Sequence, residues 1–206
     1  MASFPGAIAP MTTPRLAVLI AFLALPAPAF AGGIGLVTSA GGHSDRVWSY
    51  DVDEQLPVEN QLNANYGGGL EIILGDRDNK ILGIFRGYYI LDSPEHAPTR
   101  PDEVAKEDYV YSFREEPRGI GLINAGIQWG IAGEPSGLQF TVVSTLGAGI
   151  FTDDLTEFLT AEVGPGATWM AARQVQLALS VTGGVRYRKH FYPQGNAYLG
   201  VRYLFD

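Results

Sequence analysis

The stretch Val175-Gln176-Leu177-Ala178-Leu179-Ser180-Val181-Thr182-Gly183-Gly184-Val185-Arg186-Tyr187 decides the fold. Its odd positions are apolar or glycine. Its even positions run Gln, Ala, Ser, Thr, Gly, Arg. A period of two puts the two sets on opposite faces of a β-strand. Seven further segments carry strand signals. The first begins near Gly33, with Ile34, Leu36, Thr38 and Ala40 on one face and a possible continuation through Val47, Trp48 and Tyr50. The others cover about 61–75, 81–91, 120–131, 138–151, 157–171 and 196–205. Only in 81–91 are the two faces poorly separated. Pro165 lies inside the 157–171 run and cannot donate to a ladder, so a bulge or kink is expected there. Eight such runs predict an all-β fold, an eight-stranded antiparallel up-and-down transmembrane β-barrel.

Residues 1–31 read as targeting rather than fold. Arg15 supplies a positive charge, Leu16 opens an apolar core that ends at Leu25, and Ala29-Phe30-Ala31 fits a small-x-small cleavage site. The apolar stretch is too short for a spanning helix, which needs about 20 residues. Met11 is an alternative start that leaves a well-proportioned signal. Removal of 1–31 leaves one domain, 32–206. The 206-residue chain has a net charge of −8, and loss of Arg15 makes the mature part more negative still. An acidic chain argues against a nucleic-acid partner, which requires a basic surface. With no cysteine, an exported protein must be held by its core or by a closed hydrogen-bond network.

The connections alternate in length. Those at 76–80, 132–137 and 172–174 are short, those at 51–59 and 92–118 are long, and those at 152–156 and 189–194 are intermediate. Outer-membrane barrels have short periplasmic turns and longer extracellular loops. That orientation sets Trp129, Phe140, Trp169, Tyr203 and Phe205 near the periplasmic rim as an aromatic girdle, with Tyr66, Tyr89 and Tyr187 nearer the outer rim.

Alternation does not say which face points inward. A soluble barrel encloses a ligand with its apolar face, and a membrane barrel does the reverse. The clustered aromatics and the mid-strand charges Glu71, Glu162, Arg186 and Arg202 favour the membrane form. So does the ending, Ala197-Tyr198-Leu199-Gly200-Val201-Arg202-Tyr203-Leu204-Phe205. This segment resembles the C-terminal strand of the small outer-membrane β-barrel superfamily, which includes the transmembrane domain of outer-membrane protein A and the porin-like small barrels. The resemblance implies insertion into a Gram-negative-type outer membrane by the barrel-assembly machinery, which reads such an alternating strand with a terminal aromatic. Asp206 follows the aromatic here, a small departure from that pattern. The resemblance names an architecture and not an activity.

The lumen of an eight-stranded barrel is just wide enough for side chains to fill it. Glu71, Arg86, Glu162, Arg186 and Arg202 are therefore expected to form an interior network of carboxylate–guanidinium pairs. No catalytic, metal or cofactor constellation stands out. Some eight-stranded outer-membrane barrels are lipid A deacylases, whose motif places Ser two residues after a catalytic His. Here His190 is followed by Phe191 and Tyr192. His43-Ser44-Asp45 holds the three residue types of a triad, but strand neighbours point to opposite faces. His96 is the remaining histidine. The 92–118 loop carries Asp92, Glu95, Asp102, Glu103, Glu107, Asp108, Glu115 and Glu116, a solvated acidic surface or a site for a divalent cation or a partner. Alternating Tyr109, Tyr111 and Phe113 predict a ribbon beyond the membrane.

The expected function is non-catalytic: a structural, adhesive or partner-anchoring role in the cell envelope, exercised through the 92–118 loop toward an extracellular or envelope protein, with outer-membrane lipid around the wall. The alternatives are a narrow channel with porin-like conductance, a lipid-modifying enzyme, and a soluble periplasmic ligand-binding barrel.

Overall fold

The computed structural model describes residues 32–50, 55–76, 78–95, 111–112 and 114–205, with backbone alone for 45–50, 55–60 and 111–112. The expected signal segment 1–31 lies outside the described residues, as do His96, Tyr109, Phe113 and most of the acidic loop. The strands are β1 Gly32–Tyr50, β2 Gln55–Leu74, β3 Ile81–Asp92, β4 Tyr111–Ser112, β5 Arg118–Gly133, β6 Leu138–Phe151, β7 Glu157–Ala172, β8 Val175–Tyr187 and β9 Phe191–Leu204. β2, β3, β5, β6, β7, β8, β9 and β1 pair in that order, and β1 pairs again with β2 to close the ring. Every pairing is antiparallel. Eight strands make the wall, and β4 is a short addition to the projecting end of β1. The shortest wall strand has 12 residues, enough to cross a bilayer, which takes about 9–11 tilted residues.

The ladders differ from the sequence reading in three places. The stretch 51–59 reads as a long loop because it is rich in charge and contains Pro57. Instead β1 and β2 continue far past the wall as a hairpin, pairing Trp48 with Pro57 and Tyr50 with Gln55 after a register shift between Val47 and Trp48. A bulge accommodates the proline. Likewise β9 begins at Phe191, so most of the 189–194 loop is strand. At Pro165 the expected bulge is absent. The β7–β8 ladder skips Gly164 and Pro165 and resumes at Gly166 in the same register, while Pro165 stays paired with Val142 of β6. The missing donor is absorbed by one local gap. The β7–β8 irregularity lies instead beside the turn, between Met170 and Ala172.

The short turns sit at one end of the barrel and the long loop at the other. Gly133 opens the 134–137 turn at φ 84°, where an added Cβ would collide with the Leu138 carbonyl. Only glycine adopts that backbone without cost.

The wall is apolar outside and polar within. Leu36, Leu62, Leu70, Ile127, Leu146, Val163, Leu179 and Leu199 are all exposed, whereas Asn63, Glu71, Asn124, Thr141, Thr145 and Arg202 are buried. Soluble proteins arrange these classes the other way. The lumen also holds apolar side chains. Ile73, Leu82, Ile84 and Val143 cluster toward the short-turn end. Val37, Ile90, Ile120, Leu122, Phe151 and Phe158 cluster with Tyr88 and Tyr198 in the middle and beyond. β3 supplies Leu82, Ile84, Tyr88 and Ile90 to the interior, which explains its blurred alternation: both of its faces are apolar.

Candidate functional site

The lumen is where chemically capable side chains converge. Glu71 lies on β2 directly opposite Arg86 on β3. Its carboxylate accepts from Arg86 Nε at 2.7 Å and from Arg202 Nε at 2.6 Å. Arg202 is on β9, with β1 between it and β2. Gly35 of β1 pairs with both Glu71 and Arg202, and its missing side chain lets the guanidinium cross. A Cβ there would come within 3.0 Å of Arg202 Cγ and 2.7 Å of the Val201 carbonyl. Arg202 Nη1 also donates to Gln128 and Gln176, at 3.0 and 2.9 Å. Beside this cluster is a cavity of about 10 Å3, lined in part by Arg86, Gln128 and Tyr198. That is about the size of one water.

Glu162, on β7, is held differently. It accepts from Thr182 and Tyr198 hydroxyls, each at 2.8 Å, and from Gln194 and Asn196 amides at 2.6 and 2.7 Å. Each carboxylate oxygen therefore has two donors. All four come from the β8–β9 hairpin, three of them from successive inward positions of β9. The expected guanidinium partner is absent: Glu162 forms no ion pair among the described residues. Arg186 sits opposite Thr160, two residues nearer the outer end than Gly184, which faces Glu162. Its guanidinium lies 4.6 Å from the Phe158 ring centroid. The network of carboxylate–guanidinium pairs is thus one ion triad plus a neutral-donor cage.

The two clusters are joined. Tyr198 donates to Glu162, and its ring lies 4.6 Å from the Arg86 guanidinium. With that hydroxyl proton committed, Tyr88 donates to the Tyr198 oxygen at 3.1 Å and accepts from Asn124 at 2.8 Å. This yields a chain of donors running from Asn124 to Glu162.

A third cluster lies at the mouth of the lumen on the long-loop side. Asp92, fully buried at the end of β3, faces Arg118 at 3.4 Å, Arg114 at 3.5 Å and His43 Nδ1 at 3.6 Å. Arg114 also donates to the carbonyls of Ser93 and Glu116, while its backbone N–H donates to Glu95. Both roots of the acidic loop are clasped by this one guanidinium. Arg118 stacks on Phe151 at 3.5 Å, and Phe151 contacts Phe158 at 4.9 Å. Next to them, the turn carboxyl of Asp154 feels two opposing effects. Partial burial would raise its pKa, but hydrogen bonds from Thr156 and the Arg188 and Arg118 charges outweigh that and hold it below the usual range.

His43 is buried at this mouth, whereas His190 lies exposed in the 188–190 turn, edge-on to Tyr192 at 6.5 Å. Among the described residues no cluster of three or more His, Asp or Glu could hold a metal ion. Trp129, Phe140, Trp169, Tyr203 and Phe205 all stand on the outer wall, each about half exposed. Trp129, Trp169 and Tyr203 pair with Ile81, Leu138 and Val175, the first residues of β3, β6 and β8, so they ring the short-turn end.

Sequence reasoning missed Tyr88, Tyr198, Asn124, Thr182, Gln194, Asn196 and the Asp92 cluster. Their polarity and parity were readable, but their partnership depends on register across strands.

Ring closure, an apolar wall and a packed polar lumen define the class: a small transmembrane β-barrel of the outer-membrane type. No family model matches the chain, and no curated protein matches it in sequence. Among solved structures it is similar to neisserial surface protein A (NspA), at 12% identity and a TM-score of 0.47, covering 83% of this chain and 97% of that one. It is also similar to Ail, the attachment invasion locus protein of Yersinia pestis, at 11% identity and a TM-score of 0.39, covering 85% and 99%. A second Ail structure, in complex with the heparin analogue sucrose octasulfate, gives 14% identity and a TM-score of 0.37, covering 84% and 99%.

Proposed function

We propose that the chain is a non-catalytic integral protein of a Gram-negative-type outer membrane, exported by a signal in 1–31 and inserted by the barrel-assembly machinery. Its role is structural, adhesive or partner-anchoring, exercised at the extracellular long-loop end through the 92–118 segment. The reversed polarity of the wall carries this reading. A ring of exposed Leu, Ile and Val around buried Glu, Arg, Asn and Thr is stable only with hydrocarbon outside. The girdle of Trp129, Phe140, Trp169, Tyr203 and Phe205 then lies at the periplasmic headgroup level.

The rival readings find less support. A soluble ligand-binding barrel needs an apolar interior and a polar wall. A channel needs a wet path, and this lumen is filled by two apolar clusters and by side chains that leave about 10 Å3 beside Glu71.

Two experiments test the proposal. Outer membranes from a Gram-negative host expressing the chain should hold a form whose gel mobility shifts on boiling. An unshifted protein in the soluble periplasm refutes membrane insertion. Removing residues 96–110 should leave that shift intact and abolish binding to host cells or envelope partners; unchanged binding refutes the loop's role.

A further inference from the structure

A groove of about 1100 Å3 crosses the outer wall near the long-loop end, over β3, β5, β6, β7 and the end of β8. Its sides are the exposed Ile123, Ile150, Leu159 and Tyr187. Its floor is open at Gly87, where an added Cβ would meet nothing within 4 Å, and at Gly121, where it would meet only Ile150 at 3.6 Å. The outer edge is basic. Arg188 and Lys189 line it, and Glu157 is the one acidic residue lining the groove. Arg188 is partly exposed, 3.7 Å from Asp154. Lys189 is exposed and makes no ion pair among the described residues. The segment Arg186-Tyr187-Arg188-Lys189-His190 concentrates three of the chain's 14 basic residues in a protein of net charge −8.

We propose that this groove binds an acyl lipid of the surrounding leaflet whose phosphate headgroup is net anionic. One acyl chain would lie between Ile123, Ile150 and Leu159, with the phosphate between Arg188 and Lys189. The inference rests on the membrane reading above. Hydrocarbon suits the apolar sides, and the charge at the edge selects the headgroup. Basic side chains near an anionic lipid surface each raise affinity by about fivefold. Tyr187, stacked on Phe191 at 4.9 Å, stands at the boundary between the two environments, where amphipathic rings favour the headgroup level.

The test is native mass spectrometry of the full barrel released from micelles holding equal amounts of dioleoyl phosphatidic acid and dioleoyl phosphatidylcholine. Retained phosphatidic acid should exceed phosphatidylcholine by about twenty-five-fold, about fivefold for each of Arg188 and Lys189. The preference should vanish in Lys189→Glu and in Gly87→Leu/Gly121→Leu, which fills the floor, and persist in Lys80→Glu at the short-turn end. Equal retention by the unmodified protein overturns the proposal, as does a preference that survives either groove variant. Boiling-dependent gel mobility and vesicle insertion are recorded on the same preparations. A protein that inserts but shows no preference sinks the groove alone. One that does not insert sinks the membrane reading with it. If the glycine double variant fails to fold, Lys189→Glu decides, because its side chain supports no described contact.

Discussion

Glu71 and Glu162 are identical side chains buried in one lumen, yet the strands around them reach opposite solutions. Two guanidiniums neutralise Glu71, from β3 and β9. Four neutral donors from one hairpin surround Glu162. Coulomb attraction dominates the first site, so its partners have no useful alternative if the carboxylate goes. Dipoles dominate the second. Hydroxyl rotors can turn and amides can flip, so its partners can find new arrangements. A buried carboxylate therefore does not require a cation, and the choice of partner sets how replaceable the carboxylate is.

The largest expected difference comes from removing each charge in turn. Glu71→Gln leaves two arginines buried against a neutral amide and should cost about 3–5 kcal/mol. Glu162→Gln keeps most of its hydrogen bonds and should cost about 1 kcal/mol. Urea unfolding of the vesicle-inserted barrel, followed by gel mobility, measures both. Equal losses would erase the distinction. Tyr198→Phe probes the link between the sites, since it takes one donor from Glu162 and the acceptor from Tyr88. A loss of about 1–3 kcal/mol in the same assay is expected. A loss of only a few tenths would show that this hydroxyl holds neither Glu162 nor Tyr88 in place. The smallest effect belongs to the mouth. Asp154 ionises more readily folded than unfolded, so the stability it adds is present above its ordinary pKa of 3.8 and is lost as pH falls through the lower folded value. Asp154→Asn should remove that part of the acid dependence. Identical acid transitions in the two proteins would show that the turn contributes nothing.

The wall was legible in the sequence because alternation survives wherever one face meets lipid and the other is polar. The runs at 138–151 and 175–187 have the same bounds in the structure. β3 was not resolved into faces, because the lumen accepts Leu82, Ile84 and Ile90 as readily as the membrane accepts Phe85 and Tyr89. The inward parity of the charges was readable, but their partners were not. Arg202 reaches Glu71 across an intervening strand only because position 35 is glycine, and no local pattern announces that. Pro57 and its charged neighbours looked like loop because composition reports solvent, and this ladder runs on in solvent.

That ladder gives the barrel a handle. β1 and β2 run from the short-turn end to Tyr50 and Gln55 with one register shift, between Val47 and Trp48, and β4 braces the projecting part. Antiparallel hydrogen bonds lie across the strands. A pull along the hairpin axis therefore loads the β1–β9 and β2–β3 rows in shear at once instead of unzipping them bond by bond. Sideways, a ribbon two or three strands wide bends easily. The projection is stiff in tension and compliant in flexion.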